Sequence, residues 1–348
     1  MKVPSRHGWV AVVATGLMGA SLPTAVASPT HAVGRADDGH RVRFTIATPL
    51  ITESSSLAVS TAHPGLVYTT NDSGDSATVY ALDASDGRLV GETTLTGVTP
   101  VDIEALGIGR GGLVVGDIGD NEQLRDSIVA YRIPQPGRGS RAVRPDTVTL
   151  TYSDGPRDAE SLLYDARAER LFVVSKGLAG ARVYRSPPDV FDRGRATLSR
   201  HASAPAIATD ATFVSGHRYA VIRTYFSAVV YRFPSWRKVD SFDLPRQEQG
   251  ESVTSPGGED VIWLGSEMEN SEVLEVALPD LAPSAQPTTP SGSDSAEATT
   301  TTKIVTTDAA GSRELRTWAV RATQVAGAGL VVVALVALVL YRRHRRAD

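Results

Sequence analysis

A short pattern of residues recurs five times along the chain, and a repeat of this kind restricts the fold more than composition does. Each copy opens on a polar turn, at Glu53-SSSLAVS, Asp102-IEALGIG, Asp158-AESLLYD, Thr209-DATFVSG and Gln249-GESVTSP. A β-branched or aromatic string follows, at Leu66-VY, Leu113-VV, Leu171-FVV, Tyr219-AVI and Val261-IWL. Polar groups close these strings: Asn71-Asp72, Asp117 with Asp120-Asn121, Ser175-Lys176, Arg223-Thr224-Tyr225 and Ser266-Glu267. An alternating stretch comes next (ATVYALD, SIVAYRI, ARVYRS, AVVYRF, SEVLEV), and in the first four copies a further one (RLVGETTL, DTVTLTY, RATLSRH, RKVDSFDL).

Four short strands per unit, with Gly, Pro and Asp turns between them, predict an all-β protein built as a β-propeller. Markers Glu53, Glu104, Glu160, Asp210 and Glu251 lie 51, 56, 50 and 41 residues apart, within the range of one blade each. A β-sandwich also has many short strands, but it does not explain motifs repeated in fixed order. The last copy lacks a fourth strand, and the orphan string Arg41-VRFTIAT before the first copy can supply it, closing the ring and removing exposed edges. The count is then five blades, or six if two have been merged.

Equivalent residues of all blades must meet around one axis. The expected convergent set is Glu53, Asp102, Glu104, Asp158, Glu160, Asp210 and Glu251, joined by the polar groups that end the next strand, Glu267 and Asn121 among them. Gathered carboxylates repel and hold one another's protons unless a cation sits among them. One remedy is internal, with Lys176, Arg223 and Arg157 pairing with the acids. The other is a hard divalent cation, because Ca²⁺ takes six to eight oxygen ligands. Asn71-Asp72-Ser73-Gly74-Asp75 and Gly116-Asp117-Ile118-Gly119-Asp120-Asn121 are oxygen-rich loops suited to such an ion, without EF-hand spacing. The same residue types beside glycine also form ordinary turns through bonds to their own backbone.

The ends of the chain point to export and anchoring. Lys2, Arg6 and His7, an apolar run from Trp9 to Leu22 and Ala25-Val26-Ala27 predict a signal peptide over 1–27. Residues 322–341 carry no charge and, at about 1.5 Å per residue, reach roughly 30 Å as a helix, enough to span a bilayer. Arg342-Arg343-His344-Arg345-Arg346 then places a basic tail, 342–348, in the cytoplasm by the positive-inside rule. Between domain and span, the Pro/Ser/Thr-rich segment 281–315 has too few large apolar side chains to order itself and is expected to be a stalk. The expected arrangement is an extracytoplasmic propeller over 41–280, held at the cell membrane by one helix.

Composition removes several chemistries. The chain has no cysteine, so neither thiolate nucleophiles nor Cys-ligated metals are available. Its formal charge is −4 and basic residues cluster only in the tail, which gives no reason to expect nucleic acid. Neither a G-x-S-x-G elbow, an H-E-x-x-H pair nor a G-x-x-x-x-G-K-[ST] loop occurs. The tyrosines at 80, 131, 184 and 231 repeat at one strand position, and packing between blades accounts for them.

At ESSSLAVS…HPGLVYTTNDSGD, VDIEAL…VVGDIGDN, SDGPRDAESLLYD…LFVVSKG, VIRTY…VVYRF and QGESV the chain resembles bacterial exported propellers, the esterase-like phytase family and SdiA-regulated propellers. The resemblance runs from about Glu53 to Val276. By position, it implies calcium ligands at Asp72, Glu104, Asp117, Asp120 and Glu160, with Lys176 and Arg223 holding phosphate. The full set of calcium and phosphate residues of a phytase is not matched. Two expectations therefore stand: a ligand-binding or scaffolding module, with Ca²⁺ in its channel and a cell-wall, carbohydrate or protein ligand, or a Ca²⁺-dependent phosphoesterase using Lys176 and Arg223.

Overall fold

The computed structural model describes residues 39–72, 76–178, 180–257 and 261–281. The expected signal peptide, the stalk beyond Leu281, the membrane helix and the basic tail lie outside these residues, as do Ser73, Gly74 and Asp75 of the first oxygen-rich loop. Within them the chain is all-β apart from one 3₁₀ turn, and no helix is long and apolar enough to cross a membrane.

Strand β1 (His40–Thr45) precedes five consecutive modules. The first holds β2 (Ala58–Val59), β3 (Leu66–Thr69), β4 (Thr78–Asp83) and β5 (Leu89–Leu95). The second holds β6 (Ile103–Gly109), β7 (Gly112–Asp117), β8 (Ile128–Ile133), an inserted β9 (Gly139–Val143) and β10 (Asp146–Tyr152). The third is β11 (Ala159–Asp165), β12 (Arg170–Ser175), β13 (Arg182–Arg185) and β14 (Arg195–Ser203). The fourth is β15 (Ala208–Val214), β16 (Tyr219–Thr224), β17 (Ser227–Arg232) and β18 (Arg237–Asp243). Only three strands belong to the fifth, β19 (Gly250–Thr254), β20 (Val261–Ser266) and β21 (Glu272–Ala277).

Strand β1 completes that fifth sheet: it runs antiparallel to β21, with His40 opposite Val276 and Thr45 opposite Glu272. This is the pairing expected for the orphan string. Strand β9 is not legible in PQPGRGSRAV, a Gly/Pro-rich stretch. It pairs in parallel with β5 of the first module and accounts for the longest spacing between markers. A second parallel pair, β10 with β14, joins the outer edges of the second and third modules into one eight-stranded sheet.

Packing explains the sequence pattern. The second strands are buried along nearly their whole length because each module is covered by a neighbour on both faces, hence their unbroken apolar strings. The outer fourth strands, such as β18, are largely open to solvent and more polar. Each apolar core lies between two consecutive modules. Leu66, Tyr68 and Val79 of the first meet Leu106, Val115 and Tyr131 of the second, and matching clusters join second to third, third to fourth and fourth to fifth. The remaining cluster links the fifth to the first, with Trp263 and Val273 against Leu57, Val67 and Leu82. The succession of modules thus returns on itself, giving a propeller-like fold. Tyr80, Tyr131, Tyr184 and Tyr231 are all buried in these cores, in keeping with a packing role.

Candidate functional site

Carboxylates collect where the innermost strands begin. In the first module the entry is made by Ser54, Ser55 and Ser56, buried beside Thr69 and Thr70; the Ser54 hydroxyl lies 2.7 Å from that of Thr69. A bridge between Ser54 and Asn71 sets the flanking Glu53 and Asp72 side by side. One oxygen from each of Glu53, Asp72 and Glu267 lies within 4.8 Å of the other two, and Asp72, Asp102 and Glu104 form a second such triad. Asp72 belongs to both. Three modules therefore contribute to one oxygen-rich patch, as circular closure of the repeat requires.

Gly119 lets this happen at close quarters. A Cβ on it would stand 2.3 Å from an Asp102 carboxylate oxygen and 2.9 Å from Cγ of Glu104. Any side chain there would displace both acids.

Behind the triads lies a second layer. Glu160, Glu251 and Asp158 are buried, and the Lys176 ammonium contacts Glu160 while donating to the Tyr225 hydroxyl at 3.0 Å. Burial alone would lower the pKa of Lys176, but Glu160, Tyr225 and Glu251 raise it well above its ordinary value, so the ammonium is fixed in its charged form. Desolvation, with Glu160, Asp72 and Asp102 adding to it, holds the Glu104 carboxyl far above the usual range. Burial and then the charges of Asp72 and Asp158 push Asp102 up to about 6.

This arrangement fixes a pH dependence. Unfolded, Asp102 loses its proton near its ordinary 3.8, and folded only near about 6, so between these values the native state holds more protons. The contribution of Asp102 is therefore present at acid pH and lost as pH rises through about 6. In chelator, urea-unfolding free energy should fall over that interval, and Asp102→Asn should flatten the decline; a slope unchanged by this substitution would show that Asp102 does not carry it.

Other expected site residues are engaged elsewhere. Asp117 accepts from the backbone N–H groups of Val101 and Asp102 at 3.2 and 2.9 Å and pairs with Arg125 at 2.9 Å. Asp120 accepts from the N–H groups of Leu124 and Arg125, and its own N–H donates to Asp158 at 3.0 Å, tying the second module to the third. Asn121 is exposed on the same loop. Asp210 accepts from Ala211 and, across modules, from Val253, both at 2.7 Å. Arg157 lies by Asp154 and the Tyr184 hydroxyl. Arg223 is completely buried and donates to the carbonyls of Ser252 and Gly265 and to the Gln247 side chain. Space for it comes from Gly250, where a Cβ would fall 2.0 Å from a guanidinium nitrogen.

The structure thus brings Glu53, Asp72, Asp102, Glu104 and Glu267 together at the front, with Asp158, Glu160, Glu251 and Lys176 behind. Asp117, Asp120, Asp210 and Arg223 work as struts between backbone segments. Arg125 and Gln247, which hold Asp117 and Arg223, lie outside the repeated motifs. A lone arginine four residues after Asn121 was the available signal, since a buried acid such as Asp117 needs a partner.

No family model matches the chain, and neither does any curated protein. Among solved structures it is similar to a glutaminyl cyclase from Myxococcus xanthus (12% identity over 69% of this chain and 97% of that one, TM-score 0.44). It is also similar to a glucose dehydrogenase (10% identity, 69% and 99%, TM-score 0.44) and to the Dos1 propeller (12% identity, 62% and 52%, TM-score 0.35). The strand order and the cores between modules, rather than these likenesses, define the fold as propeller-like.

Proposed function

We propose that the chain is a five-bladed β-propeller displayed outside the cell on its C-terminal anchor, and that its acidic mouth binds a divalent cation of the calcium type in the service of recognition. The observation that carries this reading is the sharing of Asp72 between two carboxylate triads. A second supports it: Asp102 Oδ1 is buried beside them without a hydrogen-bond partner, a state that a cation would relieve. The donors are all oxygens, as a hard cation requires, and the flexible geometry of calcium suits a patch drawn from three modules better than the octahedron of magnesium. Glu53, Asp72, Asp102, Glu104 and Glu267 would hold the ion. When bound, it supplies the positive charge that the front of the mouth needs.

Recognition is favoured over phosphate-ester hydrolysis by the state of the two cations. Arg223 is sealed in the interior, and Lys176 is held by Glu160 and Tyr225, so neither is presented to a phosphate. Outward display is supported by where the described residues end. Leu281, the last of them, accepts a hydrogen bond from Tyr219, at the opposite end of β16 from Arg223 and Thr224, so it lies on the side away from the mouth. The anchor itself rests on the apolar run 322–341 and its basic flank.

Melting of the full-length chain with calcium and with chelator tests this. At a hundredfold excess over Kd the ion should add about 2.7 kcal/mol, a rise of roughly 5–10 °C for a domain of this size. Asp72→Asn, which alters both triads, should abolish most of that rise. A melting temperature indifferent to calcium and to chelator would remove the cation.

A further inference from the structure

The mouth is surrounded by exposed apolar side chains. Seven large apolar residues are exposed among the described residues, and six of them, Leu50, Val101, Leu124, Leu178, Phe226 and Met268, lie in loops at the strand ends that carry the acidic groups; they are 42–77% exposed. The Leu50 carbonyl accepts from Asn71, which neighbours Asp72. Val101 precedes Asp102, and the Leu124 N–H donates to Asp120. Leu178 lies two residues beyond Lys176, Phe226 follows the Tyr225 that holds it, and Met268 follows Glu267. In the second to fifth modules the loop after the second strand carries one such residue each. The seventh, Val42, lies in β1, away from these loops.

Solvent-exposed apolar groups confined to one face mark an interaction surface. Large side chains raised on successive loops around a polar centre reverse the usual interface anatomy of apolar core and polar rim: here the apolar groups form the rim and the charge forms the floor. Two carboxylate triads give that floor its sign, so the complementary partner brings a cationic group to the centre and apolar groups to the periphery. We infer that this face docks a segment of another protein in which lysine or arginine is flanked by aliphatic or aromatic residues. The inference rests on the recognition reading above, because it uses the same mouth and names what the mouth recognises; the partner's cationic group takes the place among the triads that the calcium ion would hold, so the two compete.

The test uses the full-length chain in nanodiscs of zwitterionic lipid, in chelator, with empty discs subtracted. Fluorescent peptides of alternating leucine and arginine, leucine and glutamate, and serine and arginine serve as probes. The leucine–arginine peptide should bind, and the other two should bind at least about tenfold more weakly, the charge and the apolar contacts each being required. Leu178→Ser combined with Phe226→Ser should weaken the leucine–arginine peptide by about tenfold or more with the melting temperature unchanged, because both side chains are in solvent, whereas Val42→Ser should leave binding intact. Absence of binding, equal binding of the leucine–glutamate or serine–arginine peptide, or wild-type affinity in the double variant would each overturn the inference. Because chelator is present throughout, failure here is separate from failure of calcium to raise the melting temperature.

Discussion

Replacing Arg223 with methionine should destabilise the domain by about 3–5 kcal/mol, the range found when one partner of a buried ionic network is removed. The guanidinium is fully buried, and its donors satisfy Ser252 and Gly265 carbonyls on two strands of the fifth module from a position in the fourth. Burial lowers its pKa to about 10, while the charges of Glu251 and Asp210 act the other way. Methionine fills much of the volume but leaves two carbonyls and the Gln247 side chain without donors and takes one of two nearby cations, the other being Lys176, from Glu251. Lysine should rescue little, because a single ammonium cannot reproduce the planar fork that reaches several acceptors at once. Urea unfolding of the two variants measures this. A loss below about 1 kcal/mol for the methionine variant would show that the network adds nothing beyond ordinary packing.

Removing β1 should be more severe still. A chain that begins after Thr48 loses the partner of β21 along its length and takes Phe44 and Ile46 out of the cluster that joins the fifth module to the first. The exposed edge of β21 would then template association with other chains. Such a truncation should give no cooperative melting transition and should aggregate. A synthetic peptide covering residues 40–48, added during refolding, should restore part of the transition. A truncated chain that melts cooperatively at the original temperature would show that closure through β1 is dispensable.

The repeat made the strands legible because each module obeys the same packing rule. A strand covered on both faces reads as an apolar string, and an outer strand reads as an alternation. The pairing of β1 could be inferred by counting, since one module lacked a strand and one strand lacked a module. Strand β9 stayed hidden because its parallel contact with β5 is set by tertiary context and not by local propensity.

The site was legible only in part. Periodicity shows which positions approach the axis, but it does not show where each side chain finds its hydrogen bonds. Asp72 and Asp117 close equivalent strings, yet Asp72 joins four other carboxylates while Asp117 turns back onto the N–H groups of its own module and onto Arg125. Arg223 and Lys176 differ in the same way, one sealed under Gly250 and the other lying between layers of acid. The apolar rim recurs once per module in the second to fifth, but its residues sit singly in loops of unequal length, so no fixed spacing marks them.

The two parallel seams divide the ring unevenly. Pairs β5·β9 and β10·β14 stitch the outer margins of the first three modules together, whereas among the described residues no outer strand hydrogen-bonds across the borders of the fourth. The first three modules are thereby tied to one another at their rims, whereas the fourth and the fifth meet their neighbours through inner strands and apolar faces. Parting the fourth from the fifth would break no ladder hydrogen bond, so amide exchange should report opening there before it does between the second and third modules.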